Sequence, residues 1–186
     1  MRGGPNFSPE DARLVAELAD RYGLAEPSLP ELLERVDRIP ISLLLAQAAD
    51  ESGWGRSRFA IEGNALYGQH ASGHDGPSIA ARGAPVRMAA FASVCDATRA
   101  YVHNLNTSNA YAGLRSLRAK RRSEGKRASG PELAGGLLHY SERGEAYVRD
   151  LRSIMRHHRL EDFDRLKGTT PTGWVRVAPP PDGGPS

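Results

Sequence analysis

The stretch Ile41–Gly55, ISLLLAQAADESGWG, constrains this chain more than any other. Pro40 precedes it and suits the first turn of a helix, where a missing N–H is not needed. Leu44, Leu45, Ala48 and Ala49 recur at helical spacing and give the helix an apolar face. Gly53 and Gly55 end it. Glu51 therefore falls where the helix runs out, at the carbonyl end, whose partial negative charge disfavours an ionised carboxylate. Partial burial beside Trp54 disfavours the charge further. Both effects raise the pKa toward what a general acid needs near neutral pH. The competing reading is a solvated residue at a helix end, since perturbed carboxylates are uncommon.

A chain of 186 residues can hold one ordinary domain with a real core and short tails. With 39% hydrophobic and 25% charged residues it reads as globular rather than disordered. No run reaches the length of a membrane span, and MRGGPNFSPEDARLV lacks the apolar stretch of a signal peptide, so no export route is visible. The single cysteine, Cys95, cannot form an internal disulfide, and its expected role is that of a small buried hydrophobe. A net charge of +3, carried almost wholly by arginine, suits a polyanionic partner without choosing among nucleic acid, acidic lipid and envelope polymer.

Three segments follow from the pattern: a helical extension over 1–19, a domain over 20–166, and a flexible tail over 167–186 rich in Thr, Pro and Gly. Residues 1–8 read as a loose terminus. Ser8-Pro9-Glu10-Asp11 starts a helix that runs to about Arg21, and a second short helix covers about Leu29–Val36. After the central helix come a helical turn over Arg56–Ile61 and, across 66–92, a small irregular lobe with a short hairpin. Helix returns over Ser93–Asn104, Ala110–Arg122, Pro131–His139 and Glu145–His158.

Several groups admit two readings. Asn64-Ala65-Leu66-Tyr67-Gly68 combines an amide, a flat aromatic face and a glycine, parts that suit sugar recognition, or equally a turn with one core tyrosine. Tyr111, Tyr140 and Tyr147 lie on or beside three helices and are individually explicable as core residues. Tyr140–Glu145 is a polar connector between apolar helices, either functional or a helix start capped by Ser141. His70, His74 and Asp75 could begin a metal site, but a third convergent ligand is not evident in this glycine-rich loop. His157-His158 fits favourable charge at a helix end. The basic run Arg115–Arg127 could bind phosphates; with no aromatic residue in it, a solvated helix end and loop is the default.

Taken together, Arg35-Val36-Asp37, LAQAADESGWGRSRFA at 45–60, EGNALYGQ at 62–69, YVHNLNTSNAYAGLRSLR at 101–118 and LLHYSERGEAYV at 137–148 resemble the Bax-type branch of the glucosaminidase family of peptidoglycan hydrolases. That family is related to the flagellar FlgJ enzymes and counted in glycoside hydrolase family 73. The likeness covers about residues 20–160. It implies an α+β, predominantly α, lysozyme-like fold with a small irregular β lobe, and a glycan-binding cleft between lobes. It implies that Glu51 protonates the glycosidic oxygen of a β-1,4 bond beside N-acetylglucosamine in peptidoglycan or a related glycan. Trp54, Asn64, Tyr67, Tyr111, Tyr140 and Tyr147 are then expected to shape or line the cleft. No cofactor or metal, no specific nucleic acid, a monomer, and a cell-envelope or periplasmic location are the matching expectations. Many relatives carry a second acid on the hairpin, whereas Ile79–Phe91 has no Asp or Glu, which leaves Asp75 and Glu142 as candidates. Two-carboxylate glycosidases need both groups. The substrate's own acetamide offers an alternative nucleophile. The rival readings are a catalytically silent glycan binder on the same fold, and a polyanion-binding protein using Arg115–Arg127.

Overall fold

The computed structural model describes residues 7–26, 28–71, 76–83 and 85–165. Eight helices and one hairpin are formed by these residues: α1 (Pro9–Arg21), α2 (Leu29–Arg35), α3 (Ile41–Ser52), α4 (Arg58–Gly63), β1 (Ser78–Ala80), β2 (Arg87–Ala89), α5 (Val94–Thr107), α6 (Ala112–Ser123), α7 (Gly130–Ala134) and α8 (Glu145–His157). The fold is α+β and predominantly helical, as the sequence implies. The expected helices fall close to their predicted limits, except that the one expected over Pro131–His139 is α-helical only to Ala134 and runs on as a 3₁₀ turn to Leu137. One was not anticipated, a 3₁₀ turn over Leu160–Arg165 that packs on α3.

α3 is the buried axis. Leu43, Ala46 and Gln47 are fully buried on it, and α7, α8 and the final 3₁₀ turn surround it. Leu105 of α5, Leu114 of α6, Leu133 of α7 and Leu151 of α8 close the same core, each fully buried. Such a leucine contributes about 2 kcal/mol by leaving water. Neither end of α3 is self-sufficient. Pro40 offers no side-chain cap, so Asp164 supplies one from the far end of the domain: its carboxylate accepts from the Ser42 backbone N–H at 2.8 Å and the Ser42 hydroxyl at 2.6 Å. A carboxylate there also suits the positive end of the helix. At the other end Gly53 takes a left-handed conformation (φ 58°), which glycine adopts without penalty, and the N–H of Trp54 returns to the Ala49 carbonyl.

The small lobe is an antiparallel hairpin in which Ile79 faces Met88. Gln69–Ala71 borders β2: the N–H of Ala89 donates to the Gln69 carbonyl and that of Ala71 to the Arg87 carbonyl, both at 2.9 Å. Asn64 caps α4 in a left-handed conformation (φ 52°) and its side-chain amide donates to the Phe91 carbonyl at 2.9 Å, so it fastens the hairpin's exit to α4.

The structure departs from three expectations. Cys95 is exposed, not a buried hydrophobe, because its position on α5 faces the cleft rather than the core. The run Arg115–Arg127 is not one solvated surface. Arg115 and Arg118 are buried; Arg118 donates to the carbonyls of Glu34, Asp37 and Arg38 and to the Asn106 side chain, and pairs with Asp37 at 3.4 Å. Arg121 pairs with Glu124 and Glu132, and Arg122 with Asp37. Two of the run's cations are therefore buried and two more are paired, while Lys120, Lys126 and Arg127 stay exposed. Ser141 does not cap α8, whose N-cap is Gly144 (φ 51°).

Candidate active site

An open cleft of about 1070 Å³ lies between the helical body and the small lobe. Gly68–His70, Ala89 and Phe91 form one wall, α5 from Cys95 to Asn104 another, and Glu51, Tyr111 and Tyr140 the floor. Glu51 is the one carboxylate among the described residues lining it. Burial is the main force raising its pKa above the ordinary value, and the neighbouring Asp50 charge adds to the rise. A hydrogen bond from Tyr147 and the charge of Arg143 act in the opposite direction and only partly offset it.

The support beneath Glu51 is a buried polar chain. The Tyr101 hydroxyl donates to Oε1 of Gln47, whose Nε2 donates to the Tyr147 hydroxyl at 2.9 Å. Having accepted from Gln47, Tyr147 directs its own proton to Glu51. Gln47 and Glu51 are one helical turn apart on α3, so the same backbone sets both ends of the chain. Tyr101, Gln47 and Tyr147 are all fully buried. Burial pushes the phenols of Tyr101, Tyr140 and Tyr147 up, so these residues remain proton donors and do not ionise in the working range.

Backbone shape completes the site. Gly68 is left-handed (φ 62°), and a Cβ there would lie 3.0 Å from Oε2 of Glu51. Only glycine allows this close approach of the lobe to the acid. Tyr140 donates to the Tyr67 carbonyl at 2.5 Å, tying the connector to the same loop. Arg143 pairs with Asp50 and with Asp150 at 3.0 Å, and its guanidinium lies 5.0 Å from the centre of the Tyr147 ring. The connector 140–145 is thus a clamp on the floor of the cleft.

The expected site residues divide accordingly. Glu51, Tyr111 and Tyr140 line the cleft. Tyr147 lies beneath Glu51 rather than on the surface. Tyr67 is a buried pillar stacked on Tyr101, with ring centroids 4.1 Å apart and its hydroxyl bonded to Thr98. Asn64 holds the hairpin and is not part of the lining. Trp54 does not line the cleft either: the left-handed turn (φ 60°) leaves it half exposed against His158, and the burial of Glu51 comes from the tyrosine cluster instead. Glu142 is exposed and outside the lining. Asp75 and His74 lie outside the described residues. Among the described residues no three His, Cys, Asp or Glu side chains converge as a metal site would require. Gln47 and Tyr101 were not anticipated; the signal available was a glutamine one turn before the acid, on the apolar side of a helix.

A helical body and a small hairpin lobe, with Glu51 in the cleft between them, define a lysozyme-like fold. The chain belongs to the glucosaminidase family: residues 27–160 match its sequence model, described as mannosyl-glycoprotein endo-beta-N-acetylglucosaminidase. It is 35% identical over 147 residues to protein bax of Escherichia coli K12, covering 76% of this chain and 53% of that protein, and so spans about half the length of that relative. Among solved structures it is similar to the peptidoglycan hydrolase of Sphingomonas sp. A1 (TM-score 0.52, 23% identity, 81% of this chain and 86% of that one). It is also similar to the glycoside hydrolase domain of FlgJ from Salmonella typhimurium (TM-score 0.50, 22% identity, 80% and 90%). These two likenesses are of fold.

Proposed function

We propose that this chain is an endo-β-N-acetylglucosaminidase that hydrolyses β-1,4 bonds in peptidoglycan, or a related N-acetylglucosamine-containing glycan, with Glu51 as general acid. The observation that carries the reading is Glu51, the one carboxyl among the described residues lining the cleft, held by Tyr147 and kept protonatable by burial. The family and the peptidoglycan hydrolases of like fold support the substrate class.

Protonated Glu51 gives its proton to the glycosidic oxygen as the bond to C1 breaks. Because no second carboxylate lines the cleft among the described residues, the acetamide oxygen of the sugar being cleaved attacks C1 and forms a cyclic oxazolinium. Water then opens that ring at C1, with ionised Glu51 accepting its proton, which restores the acetamide and the acid. This route delivers net retention at C1. The substrate places the work of the protein in the cell envelope.

The test is to incubate the protein and its Glu51→Gln variant with purified peptidoglycan and identify new reducing ends by mass spectrometry. Reducing ends in N-acetylglucosamine, absent with the variant, are expected. Binding without cleavage by the unmodified protein would instead identify a silent glycan binder. Asp75→Asn and Glu142→Gln are expected to retain turnover; total loss in either would reinstate a conventional carboxylate pair.

A further inference from the structure

Among the described residues, the charged side chains lining the cleft apart from Glu51 are Arg21 and Arg99, and His70 and His103 line it too. Arg21 and Tyr22 come from the end of α1, ahead of the residues that match the family model. They are held in the cleft wall by α5: Nε2 of His103 donates to the Arg21 carbonyl at 2.8 Å, and the Tyr22 and His103 rings lie 5.5 Å apart. Arg99 and His103 are one turn apart on α5 and so share a face.

Both guanidinium groups have capacity to spare. Arg21 has no side-chain partner among the described residues. Arg99 engages Asp96 through a single nitrogen at 3.1 Å, in an exposed pair, which leaves most of its five donors open. Neither arginine is among the charges acting on Glu51, so this basic end does not serve to tune the acid. Two planar forks beside a tyrosine face in a cleft wall are suited to a carboxylate carried on a ring-containing ligand.

We infer that Arg21 and Arg99, with Tyr22 and His103, form a carboxylate-binding subsite that takes the acidic substituents of the glycan strand. The inference rests on the reading of the cleft as a glycan site. It makes the helix before the family-matched region part of substrate selection. The carboxylate has two sources: the lactyl group exposed on a peptide-free muramic residue, or the acidic groups of an attached peptide.

The test measures binding by calorimetry to the full chain carrying Glu51→Gln, with and without Arg21→Gln and Arg99→Gln together. Three soluble probes of equal sugar length are used: a neutral N-acetylglucosamine oligomer, a peptide-free glycan strand, and a peptide-bearing one. The paired substitution is expected to weaken at least one anionic probe about ten-fold and leave the neutral oligomer unchanged. Loss confined to the peptide-bearing probe assigns the subsite to the peptide; loss on the peptide-free strand assigns it to the lactyl carboxylate. Equal affinities with and without the arginines, or equal loss on neutral and anionic probes, would overturn the inference alone. Failure of all three probes to bind the protein with its arginines intact would overturn the glycan reading and the inference together. Both arginines are exposed, so an unchanged Tm is expected and separates these outcomes from misfolding.

Discussion

Replacing Gln47 by leucine tests the buried chain beneath Glu51. Leucine nearly matches glutamine in volume, so the change removes polarity without opening a cavity. The Tyr101 hydroxyl, fully buried, would lose its acceptor on Gln47. An orphaned buried donor costs about 2 kcal/mol, and in a chain of this size that lowers Tm by about 4–8 °C. The Tyr147 hydroxyl keeps Glu51 as a partner but loses the donor that fixes its direction, so Glu51 is held less accurately. Turnover of peptidoglycan should fall about 10- to 100-fold. Adding Tyr101→Phe removes the orphaned hydroxyl and should restore most of the lost Tm, because deleting both partners is far cheaper than deleting one. It should not restore turnover, since Tyr147 still lacks its donor. Thermal unfolding and reducing-end release on the single and double variants give both readouts. If Tyr101→Phe failed to recover Tm, or recovered turnover along with it, the proposed polar chain would be refuted.

Glu51→Gln should raise Tm at neutral pH while abolishing turnover. A carboxyl whose folded pKa is raised binds more protons folded than unfolded, so its ionisation costs stability as pH climbs through that range. The Tm gain should therefore shrink toward zero below the ordinary glutamate pKa, and a gain independent of pH would contradict the assignment. Gly68→Ala combines a strained left-handed alanine, about 1–2 kcal/mol, with a methyl 3.0 Å from Oε2 of Glu51; turnover should drop about 100-fold with only a modest loss of Tm. Arg118→Met should destabilise by about 3 kcal/mol, visible in urea unfolding, whereas Arg127→Gln, at an exposed position of the same run, should be neutral. Alkylating Cys95 with a bulky maleimide should block cleavage of polymeric glycan without changing Tm, since the thiol is exposed on the cleft wall.

Much of the fold was legible because its signals are local. Ser8 and Pro9 start α1, Gly53 stops α3, and the apolar period of Glu145–His157 marks α8, since caps, breakers and periodicity act within a turn or two. Glu51 was legible for the same reason, as an acid at the end of an apolar helix in a recognisable block. Its burial was anticipated, but its cause was misassigned. Trp54 is adjacent in sequence yet turns away, and the tyrosines beside Glu51 arrive from the turn before α6 (Tyr111), from the connector (Tyr140) and from α8 (Tyr147). The basic run reads as a surface until Glu34–Arg38 and Asn106 surround Arg118, a long-range fact that composition does not carry.

By itself, then, the sequence determined where helices begin and end, where the small lobe is inserted, and which acid is the candidate proton donor. Those outcomes depend on backbone preference and side-chain spacing, which are properties of short segments. Tertiary structure decided what each polar group faces. It brought Asp164 to the start of α3 and Tyr101 to Gln47, set Gly68 against Glu51, and turned Arg21 into the cleft wall. Burial and hydrogen-bond partners raise or lower a pKa and hold a side chain still, and both depend on segments that meet only when the core closes.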